Sequence, residues 1–290
     1  MYNLKLKILL AAVMALQLGV TFADPVSERI TATVRGNGPD VLLIPGLASS
    51  SAVWDATAKQ LENHFRLHII QVAGFAGSPA RANASGAVLQ PTVDAIDLYI
   101  KTNQLKSPII IGHSLGGLAG MMLAVQHPED VGKLMVVDSL PFFGVLGGAN
   151  DVTAAAPQAA AMRDYVLTES QDAYAQDERQ FLRNLVKSPE GRKAAIGWAI
   201  ASDKSVVARA MYEDMTTDLR ADLHKIKAPV TVLYPWDVLS GFPHETTDKL
   251  YRGNFESLPN KTVVCIEDSF HFIMLDQPEK FAAQVDIFLK

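Results

Sequence analysis

The sequence predicts an α/β fold: a mostly parallel central sheet flanked by helices, with an all-helical lid inserted into it. Three observations carry the prediction. Short apolar runs of the fully buried kind alternate with amphipathic stretches, the rhythm of strand, helix and parallel strand. That rhythm stops between about Ser139 and His224, where helical patterns alone appear. And one strand, Ile109-Ile110-Ile111, runs directly into Gly112-His113-Ser114-Leu115-Gly116-Gly117 and then into an apolar helix. Residues 24–138 and 225–290 are thus expected to form one core domain, and 139–224 the lid.

Length and composition suit a single large domain: 290 residues, 49% of them hydrophobic. At the N-terminus Lys5 and Lys7 precede an apolar run from Ile8 to Phe22, and Thr21-Phe22-Ala23 offers small residues for cleavage. This reads as a secretory signal peptide, residues 1–23, cleaved after Ala23 to give a secreted or periplasmic protein with no stable membrane association. The run is shorter than the roughly 20 residues a membrane span needs. The formal net charge is −5, and losing Lys5 and Lys7 makes the mature chain more acidic. Nucleic acid is therefore not an expected partner, since no clustered basic face is present to neutralise phosphates. Cys265 is the single cysteine, so there is neither a disulfide framework nor a cysteine metal site.

In chain order, Ile30 to Val34 alternates as a strand and meets a turn at Gly36-Asn37-Gly38-Pro39, with Val41-Leu42-Leu43-Ile44 expected as its hairpin partner. Pro45-Gly46-Leu47 closes that second strand. Trp54, Ala58, Leu61 and Phe65 mark a helix, Leu67 to Val72 a strand, and Thr92 to Leu105 an amphipathic helix leading to the strand at Ile109. Lys133 to Val137 is one more buried strand, ending at Asp138. In the lid, Ser188-Pro189-Glu190 and Asp203 read as helix starts. The sheet resumes at Ala228 to Tyr234, with Asp237 just beyond, and ends at Thr262 to Ile266, ahead of His271 and a closing helix from Pro278 to Leu289.

Chemistry concentrates where parallel strands end. A serine hydroxyl needs a base to take its proton and a sharp bend to expose it, and Gly112 and Gly116 leave room for that bend around Ser114. Leu115 N–H, at the helix start, can point at a developing oxyanion. Leu47, in the loop after an earlier strand, is the candidate for the second donor. Of the seven histidines, His271 follows the final strand and is the expected base, with His244 the alternative. The acid that orients it is expected to be Asp237, with Asp138 as alternative. Phe142, Phe143, Trp198 and Met211 are candidates for the substrate-binding wall. No His-Glu-x-x-His, paired cysteines, phosphate loop or Gly-x-Gly-x-x-Gly occurs, so no metal and no cofactor is expected.

From about Ile30 to Lys290 the chain resembles the α/β-hydrolase superfamily. The resemblance is sharpest at Gly112-His113-Ser114-Leu115-Gly116-Gly117 and at Phe270-His271-Phe272-Ile273-Met274-Leu275-Asp276-Gln277-Pro278-Glu279. Pro45-Gly46-Leu47 is similar to the family's oxyanion loop, though many relatives carry histidine at the position of Pro45. Tyr234-Pro235-Trp236-Asp237 departs from the Gly and acidic residues often found before the catalytic aspartate. Relatives that dehalogenate or open epoxides use an aspartate nucleophile, so Ser114 argues against both activities. The resemblance implies a serine hydrolase acting on small or medium acyl esters through an acyl-enzyme. Lactone hydrolysis and N-terminal peptide cleavage are the enzyme alternatives, the latter needing a lid carboxylate such as Glu169, Asp172, Asp177 or Glu178. A small-molecule receptor with little turnover is the reading from a different class.

Overall fold

The computed structural model describes residues 21–22 and 27–290. The rest of the expected signal segment, with its cleavage position at Ala23, lies outside the described residues. Among those described, no helix is long and apolar enough to cross a membrane.

Among the described residues, eight strands form one sheet: β1 (Thr21–Phe22), β2 (Ile30–Arg35), β3 (Asp40–Ile44), β4 (Arg66–Val72), β5 (Ile109–His113), β6 (Lys133–Val137), β7 (Val230–Trp236) and β8 (Lys261–Glu267). Their order across the sheet is β1-β2-β4-β3-β5-β6-β7-β8, antiparallel at β1 and β2 and parallel from β4 onward. The central strands are continuous apolar runs because helices cover both faces: Val41, Leu42 and Leu43 in β3, and Leu134 to Val137 in β6, are fully buried.

The expected β2–β3 hairpin does not form. Strand β4 lies between them, antiparallel to β2 and parallel to β3. Asp40, at the start of β3, accepts from Arg66 Nε at 2.5 Å and contacts His68 Nε2 at 3.0 Å, both on β4. These contacts, with the apolar β4 inserted as a central strand, outweigh the local turn signal at Gly36 to Pro39, since sheet interiors favour buried apolar strands over sequence neighbours.

Helices α1 (Asp55–Leu61), α2 (Leu89–Thr102) and α3 (Leu115–Gln126) belong to the first part of the core. Between β6 and β7 the chain contributes α4 (Val152–Thr168), α5 (Gln171–Leu182), α6 (Pro189–Ala201) and α7 (Lys204–Thr216), and no strand. After β7 come α8 (His244–Asn254), α9 (Ile273–Asp276) and α10 (Pro278–Leu289). Asp203 caps α7 by accepting from Ser205 and Val206 N–H.

The four inserted helices rest on loops at the carboxyl ends of the strands. Asp203 N–H donates to Gly74 O at 2.7 Å in the loop after β4, and Leu219 N–H donates to Pro141 O at 2.8 Å after β6. Ser202 Oγ donates to Ala48 O at 3.3 Å and accepts from Ala76 N–H at 2.8 Å. Glu213 accepts from Val88 and Leu89 N–H, the free donors at the start of α2. The insertion therefore roofs the end of the sheet where Ser114, Asp138 and His271 lie.

Candidate active site

Ser114 stands in the bend between β5 and α3 with φ 53° and ψ −124°, a strained combination for a residue with a side chain. Neighbouring contacts impose it. A Cβ on Gly112 would lie 2.2 Å from Gly116 O, and one on Gly116 would lie 2.3 Å from Ile44 O. Only glycine permits strand and helix to close so tightly, and the closure lifts the half-buried Ser114 side chain off the sheet end. Leu115 N–H, in the first turn of α3, makes no hydrogen bond to a described residue; nor does Leu47 N–H. Leu47 follows Gly46, where an added Cβ would come within 3.0 Å of Ser114 Cβ, so the two expected donors flank the serine.

His271 is held from two sides. Its Nδ1 lies 2.6 Å from Asp138 Oδ2. Its backbone carbonyl accepts from His113 Nε2 at 3.1 Å. Because the partner is a carbonyl, His113 must carry its proton on Nε2. The ring of His113 is fully buried, and that burial, with His271 beside it, holds its pKa well below the ordinary histidine value, so it is a neutral donor.

The acid beside His271 is Asp138, not Asp237, which corrects the first expectation in favour of its alternative. Asp138 follows β6 directly with φ 44°, its N–H donating to Leu233 O at 2.8 Å. That turn swings its carboxylate across the end of β7 toward the loop after β8. Its second oxygen accepts from the Tyr251 hydroxyl on α8, whose ring stacks on Tyr234 at 4.6 Å between centroids. Burial, together with the neighbouring Asp138 charge, raises the Tyr251 pKa far above its ordinary value, so the hydroxyl stays a proton donor.

Asp237 is committed elsewhere. Its side chain, only 1% exposed, receives Lys187 Nζ at 2.5 Å and Leu239 N–H at 2.8 Å. Burial opposes its charge, but the Lys187 ammonium keeps the carboxyl below the usual carboxylate range. The pair ties the inserted helices to the end of β7.

His244, the alternative base, packs its ring edge-on to Trp236 at 5.1 Å and has no contact with Asp138. Of the expected wall residues, Phe142 is fully buried with the Arg220 guanidinium 4.6 Å above its ring. It is a core residue and leaves no surface for a ligand, a second correction. Phe143, Trp198 and Met211 are half-buried and remain available.

Two further acids carry weight that the sequence reading had not given them. Asp276 accepts from Lys187 and Ser188 N–H at the entrance to α6 and from Phe270 N–H, each at 2.9 Å, stapling the insertion to the histidine loop. Asp214 on α7 is buried, and burial raises its carboxyl to about 7.

A serine on a strained strand-to-helix bend, a histidine after the last strand and a half-buried aspartate behind it form the arrangement of the nucleophile-elbow hydrolases. Residues 41–284 match the model of the alpha/beta hydrolase family, and the chain belongs to that family. Among curated relatives it is 27% identical over 266 residues to the pimeloyl-[acyl-carrier protein] methyl ester esterase of Nitrosomonas europaea, covering 87% of this chain and 96% of the relative. The enzyme of the same name from Vibrio cholerae is 27% identical over 263 residues, covering 87% and 94%. Among solved structures, an esterase from Exiguobacterium antarcticum superimposes with a TM-score of 0.77 at 18% identity, covering 93% of this chain and 99% of that one. An enol-lactonase from Burkholderia xenovorans gives 0.74 at 19% identity, with the same two coverages of 93% and 99%. These two likenesses speak to the fold.

Proposed function

We propose that the protein is a serine carboxylic ester hydrolase working through an acyl-enzyme, with Ser114 as nucleophile, His271 as base and Asp138 as the orienting acid. Ser114 Oγ attacks the acyl carbon while His271 Nε2 takes its proton. Asp138 fixes the imidazole with its proton on Nδ1 and stabilises the imidazolium that forms. The Leu47 and Leu115 N–H groups hold the oxyanion. His271 then returns the proton to the leaving alcohol, and water, activated by the same base, releases the acid from Ser114.

The observation that carries this reading is the 2.6 Å contact between His271 Nδ1 and Asp138, formed at the same sheet end as the strained Ser114. The relatives named as methyl ester esterases support an ester as substrate. Phe143, with Trp198 and Met211 on the inserted helices α6 and α7, is apolar and half-buried as they are, and the three suit a small or medium acyl chain. A series of p-nitrophenyl esters from acetate to decanoate tests the reading. Turnover is expected to peak among the shorter chains and to fall at the long end. Release of nitrophenol no faster than in buffer across the whole series would refute it.

A further inference from the structure

The carboxylate of Asp138 is held by side chains alone. A carboxylate just past a strand can take a donor from the loop that follows, as Asp237 does in accepting from Leu239 N–H at 2.8 Å. Asp138 follows β6 and reaches across the end of β7, and among the described residues no backbone N–H donates to its side chain. Its donors are His271 Nδ1, 2.6 Å from Oδ2, and the Tyr251 hydroxyl at Oδ1. The Asp138 side chain is only 10% exposed, so little solvent is at hand to replace either one.

Tyr251 is fixed from behind. Its ring, on α8, lies flat on that of Tyr234 from β7, with 4.6 Å between centroids and 15° between planes. Tyr234 is anchored in turn, its hydroxyl donating at 2.5 Å to Asp248 Oδ1, which lies on the same helix as Tyr251 and pairs with Arg252. The Tyr251 hydroxyl is therefore aimed at Asp138, and burial beside that carboxylate keeps it protonated and donating. Standing behind the acid, it acts on the reaction only through Asp138 and His271.

Resting on the esterase reading above, we propose that Tyr251 is a positioning residue: its hydroxyl keeps the Asp138 carboxylate turned toward His271 Nδ1 and draws off part of the charge that would otherwise over-stabilise the imidazolium. The first effect is geometric. Without the hydroxyl, the carboxylate would be held only by the histidine it has to orient, and it could turn about its own bond. The second is electrostatic. A carboxylate that loses one of two donors in a nearly dry site concentrates its charge on the other, so the base is lost to protonation at higher pH.

Tyr251→Phe tests both effects, since it removes one oxygen and keeps the stacked ring. For butyrate ester hydrolysis kcat is expected to fall about tenfold or more with KM held within about twofold, and the acid limb of kcat/KM to move to higher pH. Tyr234→Phe controls for a merely structural loss: it removes a hydroxyl from the same stack but leaves the Tyr251–Asp138 contact, and both kcat and the acid limb should stay at wild-type values. The other titratable groups are common to all the variants: His113 with its ring 4.5 Å from that of His271, Cys265 paired with Tyr234 across β7 and β8, Asp276 on the histidine loop, and Asp214 on α7. The difference between variants thus belongs to the hydroxyl. A kcat for Tyr251→Phe within about twofold of wild type, an acid limb that stays in place, or a loss that Tyr234→Phe reproduces would overturn the proposal. Should Tyr251→Phe fail to fold, 3-fluorotyrosine in place of Tyr251 decides the matter. This stronger donor of nearly the same shape must move the acid limb to lower pH, and an unmoved limb counts against the proposal. Failure of the esterase reading looks different, as wild-type ester hydrolysis that is absent or that survives Ser114→Ala.

Discussion

Ser114→Ala is expected to lower kcat for ester hydrolysis on the order of 10⁶-fold while leaving the fold in place, because the nucleophile of a triad acts as a unit with its base. Structural grounds make this a clean test. Ser114 is half-buried, its Oγ takes no part in a hydrogen bond with a described residue, and alanine has the same Cβ at the strained bend. The backbone bonds that build the elbow, Ser114 N–H to Val137 O and the Gly117 and Leu118 N–H groups to Ser114 O, are untouched by the change. Circular dichroism and the thermal midpoint should therefore match the wild type, and loss of rate reports chemistry alone. Hydrolysis by the variant within tenfold of wild type would mean that another group carries the reaction.

The second large effect separates the two aspartates. Asp138→Asn should reduce kcat on the order of 10⁴-fold, since an amide in place of the carboxylate favours the wrong imidazole tautomer and no longer stabilises the imidazolium. Asp237→Asn should leave kcat within a few-fold and act on stability instead. It removes the charge that meets Lys187 inside a 1%-exposed side chain, a loss of about 1–3 kcal/mol before discounting for the partly exposed lysine. The stabilisation has a definite pH window. The Asp237 carboxyl is held below its ordinary value, so its contribution is present above the unfolded pKa and fades as pH falls through the folded one. Wild type and Asp237→Asn should therefore converge in stability in acid. Activity lost with Asp237→Asn and kept with Asp138→Asn would reverse the assignment.

Much of this site was legible in the chain, and the reason is local. Ser114 sits in a motif whose glycines are demanded by contacts within a few residues, and His271 follows the last strand of an unmistakable strand–helix alternation. The acid was not legible, because Asp138 and Asp237 each stand immediately after a buried strand and each precede His271. The choice rests on groups far away in sequence. Tyr251, 113 residues beyond Asp138, supplies the hydroxyl that orients one carboxylate, and Lys187, 50 residues before Asp237, claims the other.

Phe142 misled for a different reason: an aromatic after a strand end suggested a cleft wall, whereas Arg220 covers its ring. The β2–β3 hairpin failed because a glycine-rich turn proposes a neighbour but cannot exclude a strand arriving later from inserting between the two.

The most direct test of the central claim is to treat the protein with a fluorophosphonate, which phosphonylates an activated serine, and to read the intact mass and the modified peptide. A single added phosphonyl group is predicted on the peptide bearing Ser114, with labelling strongly slowed in both His271→Ala and Asp138→Asn. An unmodified chain, or an adduct on a serine other than Ser114, would contradict the account.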